Sequence, residues 1–222
     1  MKRKIITTAD GSKTIHIEEW NEQYHSKHGA INEALYVFIN KGLQHTLELT
    51  DEASFKIMEI GFGTGLNAFL TSLAVENLDL QVDYVGVEAY PVSMKEVEQL
   101  NYVSQIDATK TSLFKKLHEL PWEEKFEVSS NFKLKKRQQL FSEIKDIEQY
   151  HLIYFDAFGA RVQPELWTKD IFQIMFNALK PKGVLVTYAA IGQVKRDMMS
   201  LGFTVERLQG PPGKRHMLRA TK

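Results

Sequence analysis

The chain opens on a short-period pattern and then changes period twice. β-Branched runs at 5–8 and 14–17 flank Asp10-Gly11, a dipeptide suited to a tight turn, so the first twenty residues are predicted to form a hairpin. Over 30–47 the period lengthens: Leu35, Phe38, Ile39 and Leu43 recur at helical spacing, and Gly42 weakens the end of that helix. From residue 55 short apolar runs alternate with amphipathic ones. Strands are predicted at 56–60, 82–88, 132–137, 151–156, 183–188, 203–208 and 215–220, and helices at 66–75, 91–100, 139–147, 164–179 and 191–201. Strands such as Leu152-Ile153-Tyr154-Phe155 are apolar throughout, as expected when helices cover both faces. The alternation predicts an α/β fold with a parallel, doubly wound sheet. Only Gln209 to Lys214 separates the last two strands, which leaves no room for a crossover helix and predicts an antiparallel closing hairpin. The segment 104–124 fits least well and is predicted to be an inserted helix carrying Leu113, Leu117 and Leu120.

Composition narrows the picture. A chain of 222 residues, 43% hydrophobic and 25% charged, suits one packed domain with an extension. The expected division is a hairpin-and-helix extension at 1–50 and a main domain at 51–222. Basic and acidic residues number 28 each, so any nucleic-acid partner must be met by local patches. The absence of cysteine excludes disulfides, thiolate metal sites and cysteine nucleophiles. Lys2-Arg3-Lys4 precedes no apolar signal core, and the longest uncharged apolar-rich run, 61–75, is too short to span a bilayer. The expected location is cytoplasmic, without membrane contact.

In a doubly wound sheet, ligands bind beyond the carboxyl ends of the strands. Three features fall there. Glu59-Ile60-Gly61-Phe62-Gly63-Thr64-Gly65 joins a strand to a helix through glycines that can bring bare N–H groups to a ligand. Its leading carboxylate disfavours a phosphate and suits a cofactor with an amino group and hydroxyls, such as S-adenosylmethionine. Glu88 ends the next strand, where a carboxylate can accept both ribose hydroxyls. Asp156-Ala157-Phe158 closes the strand from 151. Each has a plainer reading: a tight turn for the glycines, a solvated carboxylate before Pro91 for Glu88, a loop cap for Asp156. Their joint occurrence favours the cofactor. Trp167, in a helix opened by Pro164, reads as core or as a substrate platform. Lys214 and Arg215, after Gly210-Pro211-Pro212-Gly213, sit on a hairpin tip or beside a phosphate.

These motifs resemble the methyltransferase part of the MnmC-type tRNA wobble-uridine modification enzymes, and the resemblance runs through nearly the whole chain. Tyr24-His25-Ser26-Lys27-His28-Gly29-Ala30 with Glu33 and Val37-Phe38-Ile39 is similar to the family's N-terminal pattern. The segment from Glu59 to Asn67 resembles its cofactor loop, and Asp156-Ala157-Phe158 with Pro164-Glu165-Leu166-Trp167 its active-site segment. Thr187-Tyr188-Ala189-Ala190, Val194-Lys195-Arg196 and Lys214-Arg215-His216-Met217-Leu218 resemble its C-terminal signature. The resemblance implies a Rossmann-like class I methyltransferase with a mostly parallel seven-stranded sheet and an antiparallel last strand. It implies S-adenosyl-L-methionine as cofactor, held by Tyr24, Glu33, Glu59, Gly61, Gly63, Gly65, Asn67 and Glu88, with Asp156 catalytic and no metal. Phe158, Trp167, Tyr188, Lys214 and Arg215 are the implied substrate contacts, and Lys133, Lys135, Lys136, Arg137, Arg161, Lys195 and Arg196 further phosphate contacts. The implied reaction methylates the amine of 5-aminomethyl-(2-thio)uridine in a tRNA anticodon stem-loop. Two departures stand out. Lys135-Lys136-Arg137-Gln138-Gln139 occupies the region where the family carries an acidic residue near the adenine, and a stand-alone form without the flavin-dependent oxidase half is expected, since 222 residues leave no room for it. Two rival readings fit parts of the pattern: a spermidine-synthase-like aminopropyltransferase, which would want several carboxylates where Asp156 is followed by Ala-Phe-Gly, and a non-catalytic methyltransferase-like RNA-binding protein.

Overall fold

The computed structural model describes residues 2–50 and 52–222. β1 (Arg3–Thr7), β2 (Lys13–Ile17) and β3 (Glu22–Gln23) form a small antiparallel sheet. The expected turn between β1 and β2 is closed by Asp10, whose carboxylate accepts from the Thr8 and Ser12 hydroxyls and from the N–H groups of Ser12 and Asn32. A continuous helix follows over 30–47; its middle, Leu35–Gln44, is wound in the wider π form. This helix lies against the main sheet, with Phe38 on the Tyr154 ring at 5.2 Å. Gly42 permits the close approach, since a Cβ there would stand 2.9 Å from Val186 and 3.2 Å from Tyr154.

The main sheet contains β4 (Ser54–Ile60), β5 (Gln81–Val87), β6 (Lys125–Ser129), β7 (Phe132–Arg137), β8 (Tyr150–Phe155), β9 (Leu179–Thr187), β10 (Thr204–Gln209) and β11 (His216–Thr221), in the order β10-β11-β9-β8-β4-β5-β7-β6. β7, β5, β4, β8 and β9 are parallel, while β11 runs against both β9 and β10. The sheet therefore has the expected doubly wound layout with an antiparallel last strand, but eight strands where the sequence predicts seven. The extra strand is β6, an edge strand antiparallel to β7. Only Phe126 and Val128 carry its apolar alternation between exposed Lys125 and Glu127, too little to register as a pattern.

Two predicted helices shrink. The one at 91–100 is reduced to Met94–Val97, started by a Ser93/Glu96 capping box. The one at 139–147 keeps a single turn, Phe141–Glu143, because Asp146 turns back to bind the Arg137 guanidinium at 2.6 and 3.1 Å. The inserted helix is Thr111–Glu119, which buries Phe114 and Leu117. Pro164–Trp167 is a short tight turn of helix ahead of Lys169–Ala178.

Side chains pack both faces of the sheet. Phe38, Phe69, Tyr84 and Tyr154 fill one layer, and Phe155, Phe172, Met175 and Trp167 the other. Truncating a fully buried ring such as Phe172 to alanine costs about 3–5 kcal/mol. The order of strands reverses between β4 and β8, so their carboxyl ends meet at one crevice: the Asp156 N–H donates to Ile60 O at 2.9 Å. Among the described residues no helix is long and apolar enough to cross a membrane.

Candidate active site

The loop after β4 is shaped by backbone that only glycine adopts easily. Gly61 has φ +90°, and a Cβ there would lie 2.6 Å from the Asp156 carbonyl oxygen; Gly63 has φ +48° and would press on the Tyr24 ring at 3.1 Å. The loop is pinned to β5 by the N–H groups of Gly61 and Phe62, both donating to Val87 O at 2.9 and 3.0 Å. It then feeds the helix Leu66–Ala74.

Three acids converge around that turn. Glu59, at the end of β4, is buried and accepts from the Tyr84 hydroxyl at 2.8 Å and from Asn67 Nδ2 at 2.9 Å. Burial, reinforced by the negative Asp156 nearby, pushes its carboxyl well above the usual range. Asn67 Nδ2 also donates to Asp156 Oδ2 at 2.9 Å, while Asn67 Oδ1 is buried without a hydrogen-bond partner. Asp156 is pushed up to about 7, mainly by desolvation and then by the negative Glu33; the Asn67 bond and Lys214 pull the other way. A carboxyl so placed exchanges protons near neutral pH. Glu88 Oε2 accepts from the Gly63 N–H at 3.1 Å and Oε1 from the Tyr90 N–H at 2.9 Å, leaving a lone pair on each oxygen for a ligand hydroxyl.

The far wall comes from the N-terminal sheet and the last hairpin. Trp20 and Tyr24 meet Phe158 edge-on at 5.5 and 4.9 Å. Arg161 clamps the β2–β3 turn by donating to Trp20 O and Asn21 O, each at 3.1 Å, and to the Glu22 carboxylate at 2.9 Å. His25 is buried against the Thr14 hydroxyl at 2.9 Å, and burial lowers its pKa to about 4, so it stays neutral. The Tyr188 hydroxyl donates to Ala157 O at 2.8 Å. Lys214 pairs with buried Glu33, and its Nζ sits 3.6 Å from the centre of the Tyr188 ring. Together these groups enclose a cavity of about 690 Å³.

Of the catalytic, cofactor and substrate residues expected from sequence, the further phosphate contacts aside, Tyr24, Glu33, Glu59, Gly61, Gly63, Asn67, Glu88, Asp156, Phe158, Tyr188 and Lys214 line this cavity. Three do not. Gly65 lies behind the wall at the start of the helix, where a Cβ would meet the His118 ring at 2.8 Å. Trp167 is buried and donates its indole N–H to Phe158 O at 2.7 Å, so it supports the active-site loop from beneath. Arg215 is exposed on the hairpin tip. The basic run also departs from expectation. Lys136 is buried and donates to His118 O at 2.7 Å, and Arg137 is spent on Asp146. Lys133 is exposed and Lys135 partly so.

Sequence reasoning missed Trp20, Glu22, Tyr90 and the stretch Leu140, Phe141 and Ser142, all of which line the cavity. Their placement depends on long-range pairing and leaves no local signal. The acids Glu22, Glu33 and Glu165 also line it, so the carboxylates that the sequence after Asp156 fails to supply arrive from other segments.

A family model described as S-adenosyl-L-methionine-dependent methyltransferase matches residues 98–222. The tRNA 5-methylaminomethyl-2-thiouridine biosynthesis bifunctional protein MnmC of Delftia acidovorans is 27% identical, covering 99% of this chain and 35% of that protein. Its counterpart from Nitrosospira multiformis is 27% identical over 90% of this chain and 34% of its own length. The chain thus spans about a third of the length of these curated relatives. The crystal structure of MnmC2 from Aquifex aeolicus matches with a TM-score of 0.79 at 26% identity, covering 99% of this chain and 69% of that one. Spermidine synthase from Thermotoga maritima shares the fold, with a TM-score of 0.59 at 14% identity over 99% of this chain and 69% of its own.

Proposed function

The chain belongs to the S-adenosyl-L-methionine-dependent methyltransferase family, and on that footing we propose that it methylates the amine of 5-aminomethyl-(2-thio)uridine at the wobble position of tRNA, giving 5-methylaminomethyl-(2-thio)uridine. The observation that carries this reading is Asp156. Its carboxyl has a pKa raised to about 7 and faces a cavity whose other walls are aromatic and acidic. The names of the MnmC relatives support the choice of tRNA.

The site fits its cofactor on three counts. Gly61 and Gly63 present backbone that a side chain would block, Asn67 Oδ1 offers an unpaired acceptor, and Glu88 keeps free lone pairs at the end of β5. Glu59 and Asn67 would hold the amino-acid end, Glu88 the ribose, and Leu140, Phe141 and Ser142 the base, a contact the sequence alone leaves unassigned. Bound there, the cofactor supplies a sulfonium methyl that a neutral amine can attack. The protein's share is to deliver that amine. Asp156 accepts its hydrogen bond and takes the proton the nitrogen sheds, a task for which a pKa near the working pH is best. Phe158 and Tyr188 offer faces for the uracil ring, and the aromatic lid of Trp20 and Tyr24 excludes water. Exposed Lys27, Arg196 and Arg215 supply phosphate contacts for the stem-loop.

Nucleoside mass spectrometry of tRNA from a strain lacking this gene tests the reading. Accumulated 5-aminomethyl-(2-thio)uridine is the expected result, and an unchanged nucleoside profile overturns it.

A further inference from the structure

Lys214 does not point towards solvent phosphate. Its ammonium lies 3.6 Å from the centre of the Tyr188 ring and is bonded to the Glu33 carboxylate. Glu33 is held in place because its other oxygen accepts the Ser26 N–H at 3.1 Å. Tyr188 is likewise fixed, through its hydroxyl bond to Ala157 O at 2.8 Å. Asp156 belongs to the same charge cluster, with the negative Glu33 and the positive Lys214 both acting on it. All four side chains line one cavity. An anchored aromatic face and the Glu33 carboxylate meet on one nitrogen, and Asp156 adds a second carboxylate to the lining of the same cavity, which makes a cage for an ammonium ion.

The cage holds a cation that comes from the protein itself. Lys214 reaches it from the turn between β10 and β11, and its side chain retains 29% exposure. The backbone of that turn is fixed: the Lys214 N–H donates to Pro211 O at 2.9 Å, and Gly213, at φ +83°, packs so closely on the His28 ring that a Cβ would fall 2.0 Å from it. The long lysine stem is therefore the movable part, while its root stays at the mouth of the cavity.

We propose that the Tyr188 face, Glu33 and Asp156 form the ammonium subsite for the acceptor, and that Lys214 fills it in the free protein as an internal stand-in which the acceptor displaces. This inference rests on the reading of the acceptor as an alkylamine. Its consequence is selectivity. A free amine must break the Lys214–Glu33 pair without compensation. An acceptor carrying phosphates gives the displaced ammonium a new partner at the mouth. Small amines and free nucleosides are thereby disfavoured against tRNA.

The test compares wild type with Lys214→Met, titrating methylammonium chloride and free 5-aminomethyluridine into each protein by calorimetry, alongside the KM for a tRNA stem-loop. The Met variant is expected to bind both amines about five- to tenfold more tightly, the scale of one partly exposed cation–π contact. Lys214→Arg restores weak binding, and the stem-loop KM of the Met variant stays level or rises. Unchanged or weaker methylammonium binding by a Met variant that still binds cofactor overturns the inference; should that variant fail to fold, Lys214→Gln gives the same readout with hydrogen bonding to Glu33 retained. Methylammonium reports on the cage whatever the natural acceptor is. Tighter binding together with no methylation of aminomethyl-tRNA would leave the subsite standing and remove the acceptor assignment.

Discussion

The side-chain amide of Asn67 donates to Asp156 Oδ2 at 2.9 Å, joining the first turn after the glycine loop to the residue that follows β8. The same nitrogen serves Glu59, so one amide keeps two neighbouring acids apart. The bond favours the charged form of Asp156, and its loss raises a pKa that already stands near 7. Asn67→Ala is predicted to move the acid limb of the kcat/KM profile to higher pH and to lower the rate at pH 7 about fivefold, the effect of a one-unit rise on a group half-charged at that pH. An acid limb that stays in place would contradict this.

Asp156 also makes the folded state sensitive to pH. An aspartate carboxyl ordinarily titrates near 3.8 and this one is raised to about 7 in the folded protein, so between those values the folded state binds the proton that the unfolded state has released. Stability from this group is full below the unfolded pKa and declines as pH rises to about 7. Asp156→Asn removes the charge and is expected to stabilise the protein by up to about 4 kcal/mol above pH 7, with the gain closing towards pH 4, while abolishing methyl transfer. Urea unfolding of both proteins at several pH values measures it; an equal gain at all pH values would contradict the linkage.

The glycine loop tolerates no side chain. Gly61→Ala forces a Cβ to within 2.6 Å of a backbone carbonyl at a positive φ, which is expected to destabilise the protein by about 2–4 kcal/mol. Gly63→Val, set against the Tyr24 ring, is expected to abolish cofactor binding by steric block. Thermal melts and calorimetric titration of cofactor check these separately.

Glu88 holds the loop from the other side, through its bond to the Gly63 N–H. Glu88→Ala removes that acceptor and the proposed ribose contacts together. Cofactor affinity is predicted to drop about ten- to hundredfold, with little change in melting temperature because Glu88 is half-buried at a strand end. Unaltered affinity would remove Glu88 from the cofactor site.

The doubly wound order and the convergence of Glu59, Glu88 and Asp156 were legible because each acid ends a strand whose apolar run is local, and topology does the rest. The N-terminal wall was not. Resemblance marks Tyr24 and Glu33 there, but Trp20 and Glu22 reach the cavity through partners far along the chain, Phe158 and Arg161. Lys136 shows a second limit. Alternation along β7 cannot say which face an inserted segment will cover, and here Lys136 Nζ lies 5.0 Å from the centre of the Trp122 ring, with burial lowering its pKa to about 8. Trp167 and Arg215 illustrate a third: motif resemblance marks a segment, while only packing decides which of its side chains faces the ligand.

The central claim is tested most directly by incubating the purified protein with methyl-labelled S-adenosyl-L-methionine and tRNA carrying 5-aminomethyl-(2-thio)uridine, then digesting the tRNA and identifying the labelled nucleoside by mass spectrometry. Label is predicted in 5-methylaminomethyl-(2-thio)uridine, and Asp156→Asn is predicted to lose it while still binding cofactor. A wild-type protein that binds cofactor but leaves that nucleoside unlabelled would contradict the account.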